Sequence, residues 1–227
     1  MKKTFAILAF FSTCAFGANY STEEFLVGHP APTVIVAHGC DGVNRFNKDW
    51  ARQIQSWGYN AVIVDSFSKR DSKGVCMKGW QIHPVDRSND ILEVVEEIKT
   101  KSWHKGKFGA VGFSHGGSTM IALSKYDKIS ALVSYYPSCT LTYPESNPKT
   151  KVMMHLGAKD AWTPIWQCSP QSLTGPNYTV KVYENAGHAF DIDAPNRTVG
   201  RFLLWYDREA DTVSRSMTRE FFDKELR

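Results

Sequence analysis

The sequence predicts an α/β fold with a mostly parallel central sheet that carries helices on both faces. Continuous apolar runs over residues 33–37 and 61–65 are typical of strands that are buried on both sides. Segments with helical spacing of apolar residues alternate with such runs, over residues 44–57 and 87–103. This alternation of strands and helices along the chain favours parallel strands joined by right-handed crossovers.

The later segments continue this alternation. Strands are predicted over residues 108–111, 129–135, 152–156 and 178–183. The mature N-terminus, residues 18–32, is expected to be irregular, and the stretch from about residue 196 to residue 227 is expected to be helical and to pack on the sheet. Residues 66–85 form a long polar stretch without a clear period, and loops of this length inside a domain are usually functional.

Length and charge limit the possible classes of protein. The chain has 227 residues, 42% of them hydrophobic, which suffices for one sizeable core, so a single domain over residues 18–227 is predicted. The formal charge is +4, and without the two lysines of residues 1–17 the chain has 25 basic and 23 acidic side chains, or about +2. This charge gives no indication of a nucleic-acid partner.

Residues 1–17 have the pattern of a secretory signal peptide. Two lysines precede an apolar stretch over residues 5–16, which is too short to span a bilayer. Ala15 and Gly17 place small residues where a signal peptidase cleaves, so cleavage before Ala18 is expected. The alternative is a buried N-terminal helix or an uncleaved anchor. Cleavage would leave an exported protein, periplasmic or secreted, without a membrane span.

The cysteine count agrees with export. Loss of Cys14 with the signal leaves four cysteines, an even number that suits disulfides in an oxidising compartment. Three pairings are possible. Cys40–Cys76 and Cys139–Cys168 are favoured because each bond would join loops that follow neighbouring strands. The alternative is four free, buried thiols.

The stretch Gly112-Phe113-Ser114-His115-Gly116 lies between a predicted strand and a predicted helix. Gly-x-Ser-x-Gly at such a turn is the nucleophile-elbow pattern. The glycines allow a sharp turn, so the serine hydroxyl stands clear of the sheet, and the following N–H groups open a helix without acceptors. The alternative is a glycine-rich turn that only packs a helix on a strand.

A serine nucleophile needs a base, and the base needs an acid that orients it. In this architecture the chain order is Ser, then Asp or Glu, then His. Asp160 directly follows a predicted strand, and of the seven histidines only His188 comes after both Ser114 and Asp160. Asp160 has the alternative role of capping a short helix. Asp191 and Asp193 are rival acids, but they follow the histidine in the chain.

An oxyanion hole needs two backbone N–H donors. These are predicted at His115, directly after the serine, and at Cys40, in the loop after the first buried strand. The alternative for that loop is a tight turn with a structural histidine. From residue type and position alone, the predicted substrate-pocket residues are Trp80, His83, Trp162 and Phe190. The two tryptophans suggest an apolar or ring-bearing acyl group.

Five segments of the chain resemble the dienelactone hydrolase family of α/β-hydrolases. They are His-Gly-Cys-Asp-Gly at 38–42, Val-Asp-Ser-Phe at 64–67, Gly-Phe-Ser-His-Gly-Gly at 112–117, Gly-Ala-Lys-Asp-Ala-Trp-Thr-Pro at 157–164 and Ala-Gly-His-Ala-Phe at 186–190. The resemblance implies an α/β-hydrolase fold without a large lid domain. It also implies a triad of Ser114, Asp160 and His188, with Cys40 and His115 as oxyanion donors.

The chain departs from the family pattern at two places. The family's namesake uses a cysteine nucleophile, and Ser114 in its place favours a general esterase over a lactone-specific enzyme. A serine also suits export, because an exposed thiolate would be oxidised. Arg70 and Arg87 flank the loop in which the namesake binds a substrate carboxylate, but a solvated role for each arginine is an equal alternative.

The sequence therefore predicts an exported serine esterase that cleaves a small-molecule carboxylic ester or lactone through an acyl-enzyme. The alternatives are a small serine peptidase and a catalytically silent binding module with the same fold. No cofactor or metal is predicted, because no His, Cys or carboxylate cluster has ligand spacing. The pattern leaves the substrate and the oligomeric state open.

Overall fold

The computed structural model describes residues 19–140, 146–168 and 177–227, so the predicted signal peptide and Cys14 lie outside the described residues. A seven-stranded sheet forms its centre. The strands are β1 (Asn19–Ser21), β2 (Ala31–Ala37), β3 (Asn60–Asp65), β4 (His104–Phe113), β5 (Ala131–Tyr135), β6 (Lys151–Gly157) and β7 (Tyr178–Tyr183). Their order is β1-β3-β2-β4-β5-β6-β7, and all neighbours are parallel except β1, which runs antiparallel to β3 at the edge.

Helices cover both faces of this sheet. The helices are α1 (Arg45–Ser56), α2 (Pro84–Ile98), α3 (His115–Leu123) and α4 (Arg208–Leu226). Consecutive residues of β2 point to opposite faces: Val34 belongs to a core cluster with Trp50 of α1 and Phe222 of α4, whereas Ile35 packs in a second cluster that contains residues of α2 and α3. The predicted fold class, a mostly parallel sheet between two helical layers, is confirmed.

The C-terminal segment differs from its prediction. The sequence predicts helix from about residue 196, but β8 (Arg197–Val199) and β9 (Phe202–Leu204) form an antiparallel hairpin, and α4 begins only at Arg208. Gly200 turns the chain with a φ of +58°. The helix starts where the Asp207 carboxylate accepts a hydrogen bond from the Ala210 N–H at 3.0 Å. Residues 19–21, expected to be irregular, form β1.

Two disulfides connect the loops at the carboxyl edge of the sheet. Cys40–Cys76 joins the loops after β2 and β3, and Cys139–Cys168 joins the loops after β5 and β6. These are the two pairings that the sequence favours. With sequence separations of 36 and 29 residues, each bond stabilises the fold by about 3.5–4 kcal/mol in the chain-entropy model. No helix in the described ranges is long and apolar enough to cross a membrane, and these ranges add no lid domain to the sheet.

Candidate active site

Ser114 is the single residue between the end of β4 and the start of α3. Its φ is +52°, a sparsely populated conformation that costs about 1–3 kcal/mol for a residue with a side chain. A Cβ atom on Gly112 would lie 2.2 Å from the Gly116 carbonyl oxygen, and a Cβ atom on Gly116 would lie 2.3 Å from the Ala37 carbonyl oxygen. Both glycines are therefore needed for α3 to pack this closely on β2 and β4.

Three side chains selected from the sequence meet above this turn. The Ser114 Oγ lies 2.9 Å from Nε2 of His188, and Nδ1 of His188 lies 2.8 Å from Oδ2 of Asp160. His188 follows β7 and Asp160 follows β6, so parallel strands bring both residues to the edge of the sheet that holds Ser114. If the histidine Nδ1–H donates to the carboxylate, Nε2 is free to accept the serine proton.

Asp160 is held by three further hydrogen bonds. The backbone N–H groups of Trp162 and Thr163 both donate to Oδ1 at 2.8 Å, and the Thr163 hydroxyl donates to Oδ2 at 2.8 Å. Burial raises the pKa of the Asp160 carboxyl, but attraction to His188 and the hydrogen bonds from His188 and Thr163 outweigh it, so this pKa lies below its ordinary value. The carboxylate therefore caps its own turn and faces His188 at the same time.

The rival acid Asp191 belongs to a different network. Its carboxylate is buried and accepts hydrogen bonds from the Tyr136 hydroxyl at 2.6 Å and from the Trp50 Nε1–H at 3.2 Å. Burial raises the pKa of Asp191 to about 6. The His188 ring lies beside this network, with its centroid 4.8 Å from the Tyr136 ring and 4.8 Å from the Trp162 ring. These two aromatic contacts limit the rotation of the imidazole, in addition to its contact with Asp160.

Two clefts meet at Ser114. The larger has a volume of about 310 Å³ and includes Trp80 and Phe202 in its wall. The smaller has a volume of about 120 Å³ and includes His188. Ser114, Trp162 and the Cys40–Cys76 disulfide line both clefts. The serine therefore stands at the junction of two binding spaces.

Two predicted pocket residues lie outside both clefts. His83 caps α2, where its Nδ1 accepts a hydrogen bond from the Val85 N–H at 3.2 Å. Phe190 is fully buried and packs in the core, with its ring centroid 5.2 Å from that of Tyr183. Residue type indicates that a side chain suits a pocket, but it does not give the direction in which the side chain points. The other two predictions, Trp80 and Trp162, do lie in the cleft walls.

Arg87 is fully buried in α2, so the alternative of a solvated role is wrong for this arginine. Its Nη1 donates to Nδ1 of His115 at 2.8 Å, and its Nη2 donates to the His38 carbonyl oxygen at 2.8 Å. The acceptor role of Nδ1 places the imidazole proton on Nε2, which donates to the Ile82 carbonyl oxygen at 2.8 Å. Burial lowers the pKa of Arg87 to about 9, so the guanidinium remains charged near neutral pH.

The contacts of Arg87 join the two segments that carry the predicted oxyanion donors. Cys40 lies two residues after His38, and Cys40, Ser114 and His115 all line the larger cleft. Among the described residues, neither the Cys40 N–H nor the His115 N–H has a hydrogen-bond acceptor. The sequence did not predict that Arg87 connects these two segments. The only signal is spacing, because Arg87 shares the helical face of Ile91 and so occupies a core position.

Comparisons with known proteins identify the family and agree with the fold. The model of the dienelactone hydrolase family matches residues 21–226. A carboxymethylenebutenolidase of Pseudomonas putida is 26% identical over 181 residues, which cover 71% of this chain and 75% of the relative. The solved dienelactone hydrolase of Anabaena variabilis shares the fold, with a TM-score of 0.67, 18% identity and coverage of 88% of each chain. Because the family model spans almost every described residue, the chain belongs to the dienelactone hydrolase family, a family of hydrolases.

Proposed function

We propose that the protein is an exported serine hydrolase that cleaves a small carboxylic ester or lactone through an acyl-enzyme. The contacts from Ser114 to His188 and from His188 to Asp160, at 2.9 and 2.8 Å, carry this proposal. Family membership supports hydrolysis of small esters or lactones. The carboxymethylenebutenolidase relatives are named for the opening of a lactone, which supports the same class of bond.

The proposed reaction has two halves. Ser114 Oγ attacks the substrate carbonyl carbon while His188 Nε2 takes the hydroxyl proton, and His188 then gives this proton to the departing alcohol. In the second half, water attacks the acyl carbon while His188 takes its proton, the bond from that carbon to Ser114 Oγ breaks, and His188 returns the proton to Oγ as the acid leaves. Asp160 orients the imidazole and stabilises its charged form. The N–H groups of Cys40 and His115 bind the negative oxygen of each tetrahedral intermediate.

Export is supported by two features of the chain. Residues 1–17 have signal-peptide composition. The two disulfides suit an oxidising compartment, periplasmic or extracellular, rather than a reducing cytosol. On this proposal residues 18–227 form one mature hydrolase domain.

The alternatives are a small serine peptidase and a silent binding module. A module that only binds has no need of a strained serine between two clefts, nor of a buried histidine and carboxylate in contact with it. Turnover of matched ester and peptide substrates separates an esterase from a peptidase.

The proposal is tested with a fluorophosphonate probe and p-nitrophenyl acetate. We expect one probe molecule per chain, mapped by mass spectrometry to Ser114 and not to Ser118 or Ser138, which line the same cleft. Labelling should abolish p-nitrophenyl acetate hydrolysis in proportion to occupancy. An unlabelled Ser114, or full hydrolysis by the labelled protein, would contradict a serine acyl-enzyme.

Replacing Arg87 by methionine is expected to lower kcat for ester hydrolysis by about 100-fold, the usual cost of one oxyanion donor, with little change in KM. The substitution removes both hydrogen bonds that hold His115 and His38. Their segments carry the two oxyanion donors, which act in the transition state. The measurement is kcat per active site, with the number of sites taken from fluorophosphonate labelling of a separate portion of each sample, so that unfolded protein is not counted.

The matched control is Arg70→Met. Arg70 makes a bidentate ion pair with Asp90 at 2.7 and 2.9 Å but contacts neither donor segment, so its loss should change kcat by less than about threefold. Arg87→Lys keeps the charge without the guanidinium fork, and it should restore only part of the rate. An unchanged kcat per active site in Arg87→Met would show that Arg87 has no part in positioning these donors.

A further inference from the structure

We propose that the larger cleft binds the acyl group and the smaller cleft binds the alcohol, so that preferred substrates are esters of ring-bearing acids with short alcohols. This assignment rests on the proposed esterase function and specifies its substrate class. The position of the imidazole, the sizes of the clefts and the residues of the β8–β9 hairpin support it.

Proton transfer determines which cleft receives the alcohol. His188 must protonate the oxygen that leaves with the alcohol, so the alcohol departs on the side of the imidazole. His188 lines the smaller cleft and is absent from the walls of the larger one. His115, whose N–H is one of the two proposed oxyanion donors, lines the larger cleft and not the smaller. The acyl group therefore extends into the larger cleft.

The volumes indicate which of the two groups is the larger. If a non-hydrogen atom takes about 30 Å³, the share of a water molecule in the liquid, the larger cleft of about 310 Å³ holds about ten such atoms. On the same basis the smaller cleft of about 120 Å³ holds about four. An aromatic acid with a short linker fits the first space. An alcohol of two or three carbons fits the second.

The walls of the larger cleft can hold a ring, although the smaller cleft also has aromatic residues in its wall, so volume and the position of His188 distinguish the two clefts. The Trp162 and Phe202 side chains stack with their centroids 5.3 Å apart and their planes within 8° of parallel. Trp80, held against the His115 ring with a centroid separation of 5.1 Å, supplies a further aromatic surface. Aromatic side chains favour stacked or edge-on contacts with a substrate ring.

The β8–β9 hairpin places neighbouring side chains in different clefts. Val199 and Phe202 are directly paired across the hairpin, yet Val199 lines the smaller cleft and Phe202 the larger. At the turn, a Cβ atom on Gly200 would lie 2.9 Å from Cε of Met77, so the hairpin packs closely against the loop that Cys40–Cys76 holds. Substitution of Val199 or of Phe202 therefore changes one cleft at a time, at the same place in the hairpin.

Two isomeric esters test the assignment. Ethyl 3-phenylpropanoate has the ring on the acid, and 3-phenylpropyl acetate has the same atoms with the ring on the alcohol. We expect kcat/KM to be at least about tenfold higher for ethyl 3-phenylpropanoate, because even one misplaced methylene costs about 10- to 200-fold in a hydrophobic pocket. Equal rates or the reverse preference, in protein that labels at Ser114, would overturn the assignment alone. Failure to label Ser114 together with loss of all ester hydrolysis would overturn the proposed function, and the assignment with it.

The paired variants give a second measurement. Phe202→Ala should lower the ratio of kcat/KM for ethyl 3-phenylpropanoate to that for 3-phenylpropyl acetate by about tenfold. Val199→Ala enlarges the alcohol cleft, so it should also lower this ratio, but by raising kcat/KM for 3-phenylpropyl acetate. Each ratio is measured on one sample and is independent of the folded fraction. A Phe202→Ala enzyme that loses activity equally on both esters would contradict an acyl site at Phe202.

Discussion

Replacing Ser114 by alanine is expected to lower kcat for ester hydrolysis by about 10⁶-fold, because the variant has no oxygen that can form the acyl-enzyme. The proposed oxyanion donors and the clefts remain in place. Such groups alone retain about 10³- to 10⁴-fold catalysis over water, so a small residual rate is expected. The residual reaction should show no burst of p-nitrophenol, since no acyl-enzyme accumulates.

The matched control is Ser216→Ala, which removes the hydroxyl of an exposed serine on α4. Its activity should equal that of the wild type within experimental error. Both variants are compared by circular dichroism and by urea denaturation, because loss of the Ser114 hydroxyl also removes its contact with His188. A Ser114→Ala protein that is folded and retains more than about one tenth of the wild-type kcat would refute the proposed nucleophile.

The meeting of Ser114, His188 and Asp160 was predictable because it depends on topology. Ser114 directly follows β4, and Asp160 and His188 come shortly after β6 and β7; strands separated by helices become parallel neighbours whose carboxyl ends share one edge. The disulfides follow from the same rule, since Cys40 and Cys76 come after two adjacent strands. Neither inference requires knowledge of where a side chain points.

The features that the sequence did not predict depend on the direction in which a side chain points and on the way in which a buried charge is compensated. Arg87 reads as a surface residue, because burial of a guanidinium normally requires a carboxylate partner. Here the partners are a neutral imidazole and a carbonyl oxygen, together with the face of the Phe67 ring at 5.1 Å. The hairpin of β8 and β9 was missed because strands of three residues are too short for a period to be read.

Replacing Asp160 by asparagine is expected to lower kcat by about 10⁴-fold, although the change is nearly isosteric. The backbone N–H groups of Trp162 and Thr163 would still hold the amide oxygen in the place of Oδ1. The amide NH₂ would then donate a hydrogen bond to His188 Nδ1, so Nδ1 could not carry the imidazole proton. The imidazole proton would lie on Nε2, where it prevents the ring from taking the Ser114 proton.

A pH series of stability separates this tautomer effect from a loss of folding. The pKa of Asp160 is lowered in the folded protein, so the ionised carboxylate stabilises the wild type above its unfolded pKa of about 3.9, and this stabilisation is lost as the pH falls through the lower folded pKa. The difference in unfolding free energy between wild type and Asp160→Asn, measured in urea, should therefore shrink below about pH 4.

Thr163→Val provides the comparison for the activity of Asp160→Asn. It removes the hydroxyl that donates to Asp160 Oδ2 at 2.8 Å and lies 3.2 Å from His188 Nδ1, but it leaves the carboxylate and its bond to His188. Its kcat should fall by only about tenfold, the cost of about one hydrogen bond to a charged group. If Asp160→Asn lost no more activity than Thr163→Val while both proteins were folded at pH 7, the carboxylate would not set the tautomer of His188.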